Sequence, residues 1–366
     1  MIDPSSLDLQ MMGRALELAA KGLYTTKPNP RVGCVIARDT EIVAEGWHRQ
    51  AGKAHAEIEA LDVAGDRARG ADLYVNLEPC CHVGRTGPCA PALADAGVRR
   101  VVIAMEDPNP KVSGNGIKAL KEAGIDVTVG PRANAARELN EGFMLRMEKG
   151  RPLVRVKLAA TIDGRTAAAD GSSQWITSTE ARQDVHHWRA ASAAVVTGIG
   201  TVTADDPRLN ARLDSDLVQP VRVVLDGNAR LDPGAALFQV DGPVLVVTAG
   251  EQDGDAYGFD ARTELINLQG DDGRVDLAAL VMELGERGCN DILVEAGAGV
   301  AGAFAARDLV DEYLLYLAPD LLGSGGRGMF ELRGIRNLVD RIPLEIQEVQ
   351  QLGRDLRLRL RPVRRS

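Results

Sequence analysis

The sequence predicts two successive α/β domains. Three observations lead there. A length of 366 residues exceeds what one hydrophobic core usually organises. Apolar residues fall alternately at strand period and at helix period along the chain. The run Glu148-Lys149-Gly150-Arg151-Pro152 closes a helical stretch with a glycine and a proline, and a new strand pattern begins behind it. Domains are therefore expected over 1–148 and 152–366.

In the first domain, Leu7, Met11 and Leu18 recur at helical spacing and predict a helix over 7–21. Strands are expected at 32–37 and 42–46, a helix at 55–64, a strand at 72–77, a helix at 88–96 and a strand at 100–104. A helix at 117–123, a strand at 126–129 and one long helix at 133–147 complete a three-layer α/β pattern. The second domain opens with a strand run from 153 to 159, then a helix at 179–191 and strands at 194–197, 221–225 and 244–247. A helix at 277–287, a strand at 291–295, a helix at 300–306 and a strand at 312–317 follow, with no internal repeat or low-complexity tract.

Composition narrows the function classes. Acidic side chains outnumber basic ones 52 to 43, a net charge of −9, so the long-range field disfavours a nucleic-acid partner but leaves a small phosphorylated substrate open. An aromatic share of 4% offers no stacking platform for single strands. No uncharged apolar run approaches the roughly 18 residues of a membrane span, and residues 1–10 lack a basic leader. A cytoplasmic enzyme without a membrane partner is expected.

Five cysteines form an odd set, and Cys80, Cys81 and Cys89 crowd beside a histidine motif, which reads as metal binding and not as a disulfide framework. His55-Ala56-Glu57, Glu78-Pro79-Cys80 and Pro88-Cys89 supply one imidazole and two thiolates. Three protein ligands leave the fourth tetrahedral position of Zn²⁺ to water, the composition of a catalytic site. Zinc lowers the pKa of such a water from about 15.7 towards ~7. Glu57, two residues from His55 on a helix, points away from the imidazole and is free to carry protons. The alternative is a structural zinc with Cys81 as fourth ligand; adjacent cysteines place both sulfurs on one ion only with strain, so Cys80 is preferred. Cys34 and Cys289 read as core or incidental cysteines.

These residues resemble the cytidine-deaminase superfamily pattern H-x-E with P-C-x-x-C, except that eight residues, Cys81 to Pro88, separate the two cysteines. The longer loop is similar to that of the bifunctional deaminase/reductase family of riboflavin biosynthesis, and the resemblance covers essentially the whole chain. Further agreement lies in Pro28-Asn29-Pro30-Arg31-Val32-Gly33, Gly46-Trp47-His48 and Asp107-Pro108-Asn109-Pro110. The chain departs from the family at Cys81, where a small polar residue is usual, and at Gly87, where a proline is. The resemblance implies a cytidine-deaminase-like α/β/α domain followed by a dihydrofolate-reductase-like α/β domain. Asn29, His48, His82, Arg85, Thr86 and Asn109 are then the expected contacts to an aminopyrimidine ribose phosphate.

Behind the boundary, Lys157-Leu158-Ala159-Ala160-Thr161-Ile162-Asp163-Gly164-Arg165-Thr166 is similar to the opening strand and turn of the family's reductase. Carried over by position, Ser173, Arg189, Leu209, Arg212 and Glu295 contact substrate, and Ala159, Trp175, Thr201, Asp205 and Gly227 contact NADPH. The residues themselves add two readings. Arg189 and Arg212 suit planar clamps on a phosphate, with a solvated charge as the plain alternative. Gly297, Gly299 and Gly302 satisfy G-x-G-x-x-G between a strand and a helix, where a pyrophosphate can approach backbone N–H groups; helix–sheet packing is the alternative. The expected chemistry is zinc-dependent deamination followed by NADPH-dependent reduction of the opened sugar, in a homo-oligomer, dimer or tetramer. A nucleoside or tRNA deaminase, and a catalytically silent zinc-stabilised regulator, are the competing readings.

Overall fold

Residues 5–82, 87–250, 259 and 261–363 are described by the computed structural model. The chain divides into two units, 1–150 with 216–218, and 151–215 with 219–366.

The first unit runs α1 (Ser6–Ala20), β1 (Gly33–Arg38), β2 (Glu41–Trp47), α2 (Ala56–Ala64), β3 (Asp72–Val75) and α3 (Cys89–Asp95). It continues with β4 (Arg100–Ile103), α4 (Asn115–Glu122), β5 (Asp126–Val129), α5 (Ala133–Leu139) and α6 (Glu141–Lys149). The strands lie in the order β2-β1-β3-β4-β5; β1 is antiparallel to both neighbours and β3, β4 and β5 are parallel. Alternation along each strand decides the layers. Ile36, Leu73, Val75, Val101 and Ile103 point to one face and pack on Ala60 of α2, Leu93 of α3 and Leu120 of α4. Val35, Ala37, Tyr74 and Val102 point to the other and meet Met11, Met12 and Ala15 of α1 and Ala136 of α5. With helices on both faces, this is the expected three-layer α/β/α domain.

Two glycines let those layers approach. A Cβ on Gly46 would stand 2.3 Å from the Ala56 carbonyl oxygen, and one on Gly33 would stand 2.1 Å from that of Ala15. Gly46 thereby seats the first turn of α2, which carries the histidine motif, directly on β2. One expectation needs correction: the single helix over 133–147 is two helices. Asn140 sits between them at φ −113°, because its amide is spent on Arg31, accepting from the backbone N–H at 2.8 Å and donating to the carbonyl at 2.9 Å.

The second unit contains β6 (Leu153–Thr161), β7 (Arg165–Ala167), α7 (Thr179–Ala191), β8 (Ala194–Gly198), α8 (Ile199–Asp205), β9 (Val221–Leu225) and β10 (Val244–Thr248). Then follow β11 (Thr263–Asn267), α9 (Leu277–Glu286), β12 (Asp291–Val294), α10 (Ala298–Ala306), β13 (Glu312–Ala318), β14 (Arg327–Gly328), β15 (Leu344–Leu352) and β16 (Asp355–Pro362). Nine strands form one sheet, β11-β10-β9-β8-β12-β6-β13-β16-β15, parallel from β11 to β13 and antiparallel at β16 and β15. One face packs on α9 and α10 through Leu280, Leu284, Ala301 and Phe304. The other packs on α7 through Ala181 and Val185, and on α8 through Ile199 and Val202. Parallel strands deliver their C-terminal ends to one edge, so the segments after β6, β8, β9 and β12 emerge together, the usual place for a ligand crevice.

Candidate metal centre and second polar cleft

The first constellation sits where three local signals converge. His55 is the N-cap of α2 with extended backbone (φ −76°, ψ 163°), which turns its imidazole back over the helix start. Cys89 is the first residue of α3, and Cys80 lies in the loop leaving β3. Their ligand atoms all fall within 4.8 Å of one another. His55 Nδ1 is 3.3 Å from Cys89 Sγ and 3.5 Å from Cys80 Sγ, so one ring nitrogen faces both sulfurs, and the Cys89 backbone N–H donates to Cys80 Sγ at 3.4 Å. The Cys80 thiol is pushed down to about 4: bonds from Cys89 and His55 favour its thiolate against the opposing effect of burial. Cys89 shifts the other way and keeps the proton. The arrangement favours the thiolate form that a metal binds, and metal binding at such a pair releases protons. One nitrogen and two sulfurs at this separation fit zinc with one open position.

Glu57, in the first turn of α2, is buried (3% exposed), and burial raises its pKa while His55 opposes the rise. A carboxyl held towards neutral next to a metal water can both take and return a proton.

The remaining predicted contacts sort by how the loops are tied. His48 is buried, and its Nδ1 lies 2.9 Å from the Ala54 carbonyl oxygen. That carbonyl only accepts, so Nδ1 carries the hydrogen and Nε2 accepts from Asn29 Nδ2 at 3.0 Å. Burial lowers the His48 pKa, which keeps this neutral tautomer, and the ring stands edge-on to His55 at 5.4 Å. Among the described residues, His82 Nδ1 is buried with no hydrogen-bond partner. Arg85 and Thr86 lie outside the described residues. Asn109 is half-buried in a turn, its backbone N–H donating to Asp107 Oδ1 at 2.8 Å. The sequence reading quoted Glu78 only as part of a motif. Its buried carboxylate accepts backbone N–H bonds from Asp107 at 3.1 Å, Gly114 at 3.0 Å and Ile117 at 3.0 Å, and so clamps the loop that carries Asn109. The signal available was its place, two residues before a ligand.

In the second unit, Arg189 donates from Nε to Glu295 Oε1 at 2.6 Å and from Nη2 to Oε2 at 2.9 Å, and its Nη1 reaches the Asn210 carbonyl at 3.3 Å. Lys157 Nζ stands 3.6 Å from the same carboxylate. Burial would raise the Glu295 pKa, but the charges of Arg189 and Lys157 prevail and hold it at about 2. The Arg212 backbone N–H donates to His186 Nδ1, and its guanidinium, exposed, donates to Asn210 Oδ1 at 2.9 Å. Burial, then Arg189 and Arg212, push the His186 pKa down to about 4. Lys157 and His186 had no role in the sequence reading; His186 lies one turn before Arg189, on the same helix face. Leu209 is buried with φ +56°, a strained conformation for this residue.

The other predicted reductase positions fall into two groups. Trp175 is 70% exposed with the Arg182 guanidinium 4.6 Å from its ring centroid, and its neighbour Gln174 donates to Asp205 at the end of α8. Thr201 lies in the first turn of α8, Ala159 on β6, and Ser173 half-buried between them in sequence. Gly227, Gly299 and Gly302 line one cavity of about 460 Å³. Gly297 is the N-cap of α10 with no atom of the described residues within 4 Å of its absent Cβ, whereas a Cβ on Gly302 would stand 2.3 Å from the Glu331 carbonyl oxygen. The first glycine therefore leaves open space and the third serves close packing.

Comparison with known proteins finds a family for each unit. Residues 5–105 match the family model "Cytidine and deoxycytidylate deaminase zinc-binding region", and 152–358 match "RibD C-terminal domain". The riboflavin biosynthesis protein RibD of Escherichia coli is 46% identical over 96% of this chain and 99% of its own length. That of Haemophilus influenzae is 46% identical over 99% of both. Among solved structures, Acinetobacter baumannii RibD is similar with a TM-score of 0.91 at 45% identity, covering 98% of this chain and 99% of its own. A Thermotoga maritima diaminohydroxyphosphoribosylaminopyrimidine deaminase/5-amino-6-(5-phosphoribosylamino)uracil reductase has a TM-score of 0.88 at 34% identity, covering 98% of this chain and 99% of its own.

Proposed function

The chain belongs to the RibD family of riboflavin biosynthesis proteins, a deaminase followed by a reductase, and from that premise we propose how its residues divide the work. Residues 1–148 form the deaminase and 152–366 the reductase. The substrate is 2,5-diamino-6-(5-phosphoribosylamino)pyrimidin-4(3H)-one; the product of both steps is 5-amino-6-(5-phosphoribitylamino)uracil.

His55, Cys80 and Cys89 hold zinc, which when bound supplies a Lewis acid that makes water nucleophilic at neutral pH. Glu57 removes a proton from the attacking water and returns protons to the ring nitrogen and to the departing amine. Asn29, His48, His82 and Asn109, with Arg85 and Thr86, bind and orient the base and its ribose phosphate. What carries this reading is the convergence of one imidazole nitrogen and two sulfurs within 4.8 Å, with a buried carboxyl two residues away.

In the reductase, NADPH supplies the hydride when bound. Its contacts are Ala159, Trp175, Thr201, Asp205, Gly227, Gly297 and Gly299, while Gly302 brings the helix close. Arg212 takes the substrate phosphate; Arg189, its fork held by Glu295, lends charge and fixes Asn210. Ser173 and Leu209 line the substrate side, and phosphate binding remote from the reacting carbon orients the opened sugar.

The protein self-associates through the outer edge of β15. Nine residues of edge strand with Ile346 60% and Val349 56% exposed form a pairing template that a monomer rarely leaves bare. We place it in the cytoplasm, where free cysteines stay reduced; among the described residues no helix is long and apolar enough to cross a membrane.

The test is Glu57→Gln. Ammonia release is expected to fall by at least ~100-fold, the usual contribution of a positioned acid–base, while reduction of pre-deaminated substrate by NADPH continues. Equal loss of both activities would overturn the division of labour.

A further inference from the structure

The cavity beside α10 is lined by more charge than a nucleotide's pyrophosphate needs. Besides Gly227, Asn228 and Gly299, its wall presents Arg274, Arg307, Arg333 and Glu331. Its volume of about 460 Å³ falls within the roughly 300–1,000 Å³ of small-molecule sites.

The three guanidiniums are not equivalent. Arg307 is committed, with Nη2 3.4 Å from Asp272 Oδ2 and Nη1 3.4 Å from the Ala303 carbonyl oxygen. Arg274 bonds through its backbone alone among the described residues, its N–H donating to Asp272 Oδ1 at 3.1 Å and its carbonyl accepting from the Gly270 N–H at 2.7 Å. The guanidiniums of Arg274 and Arg333 have no hydrogen bond or ion pair among the described residues. Elsewhere in this unit arginines find carboxylates: Arg151 with Asp311, Arg155 with Glu312, Arg189 with Glu295 and Arg287 with Glu264. In a chain of net charge −9, two uncommitted forks on one cavity wall leave a local excess of positive charge beyond the single carboxylate of Glu331.

Resting on the reading that this cavity receives the nicotinamide cofactor, we infer that Arg274 and Arg333 bind the cofactor's 2′-phosphate and so select NADPH over NADH. A phosphate presents several acceptor oxygens and close to two negative charges, which match two planar forks. The 2′-hydroxyl of NADH carries no charge and meets two cations with nothing to offset their desolvation. An arginine near the adenosine ribose is the general solution to the extra phosphate in dinucleotide sites. Glu331, on the same wall, opposes an anion but suits a hydroxyl, so removing both arginines weakens the phosphate form selectively.

The experiment is calorimetric titration of the full chain, wild type and Arg274→Gln/Arg333→Gln, with adenosine 2′,5′-bisphosphate and adenosine 5′-monophosphate. KM for NADPH and for NADH is measured alongside. Both side chains are exposed, and ammonia release by the deaminase unit verifies that each preparation is folded. The expected result is bisphosphate binding weakened about 10–100-fold by the loss of charge-assisted bonds. Monophosphate should change less than about twofold, and KM should rise for NADPH and stay for NADH. Equal weakening of both nucleotides, or no change in either, overturns the assignment while leaving the cofactor reading intact. Wild-type protein that binds neither nucleotide and oxidises neither NADPH nor NADH overturns the cofactor reading itself, and the assignment with it.

Discussion

Replacing Glu295 by Gln tests how the reductase unit holds its buried charges. The carboxylate is 8% exposed and receives both nitrogens of the Arg189 fork with Lys157 3.6 Å away. Its pKa of about 2, against an ordinary 4.5, corresponds to roughly 3 kcal/mol favouring the ionised form at neutral pH. A loss of about 3–5 kcal/mol on breaking a buried pair by removing one partner agrees with it. Because the folded-state value lies below the unfolded one, the stabilisation is complete above about pH 4.5 and drains away as pH falls towards 2; at pH 3.5 about 2 kcal/mol of it remains. The assay is urea unfolding in a Trp47→Phe background, which leaves Trp175 and Trp188 as reporters in the same unit. Glu295→Gln should cost about 3 kcal/mol at pH 7, and the gap from the parent should narrow by roughly 1 kcal/mol by pH 3.5. A loss under ~1 kcal/mol at pH 7, or a gap that does not narrow, would refute the reasoning.

Glu78→Gln keeps the shape of the clamp but turns one acceptor into a donor facing backbone N–H groups; the deaminase KM should rise about tenfold with zinc content unchanged, and loss of zinc instead would make Glu78 part of the metal shell. Ile346→Lys with Val349→Lys should turn a dimer or tetramer into a monomer by sedimentation without affecting ammonia release per chain. An unchanged oligomer would move the subunit contact elsewhere.

The metal centre was legible because its residue types are rare and its partners cluster in sequence: His55, Cys80 and Cys89 lie within one stretch, with His55 and Cys89 at helix starts. The three-layer order of the first unit was legible for the same local reason, since Ile36, Leu73 and Val101 alternate strictly with Val35, Tyr74 and Val102. Residues that act through distant backbone were not legible. Asn140 breaks a helix only because Arg31 lies against it, and Glu78 clamps amides about 30 to 40 positions downstream. In the second unit the reading stopped at 317 and missed β15 and β16, besides α8 and the short strands. A bulge between Ile346 and Glu348 breaks the period of β15. In β16 the alternation of Leu356, Leu358 and Leu360 with Arg357 and Arg359 was a usable signal, although the arginines are drawn inward by Asp184, Glu348 and Glu312. Arg189 and Glu295 were each named as substrate contacts, but no sequence pattern announces that the two, 106 positions apart, pair with one another.

X-ray absorption at the zinc edge, on the zinc-loaded chain and on Cys81→Ser, addresses the deaminase centre most directly. The expected first shell has two sulfurs at about 2.3 Å, one imidazole nitrogen at about 2.0–2.1 Å and one further light atom, identical in the two proteins. A shell of three sulfurs that drops to two in Cys81→Ser, or zinc retained at full stoichiometry in His55→Ala, would contradict it.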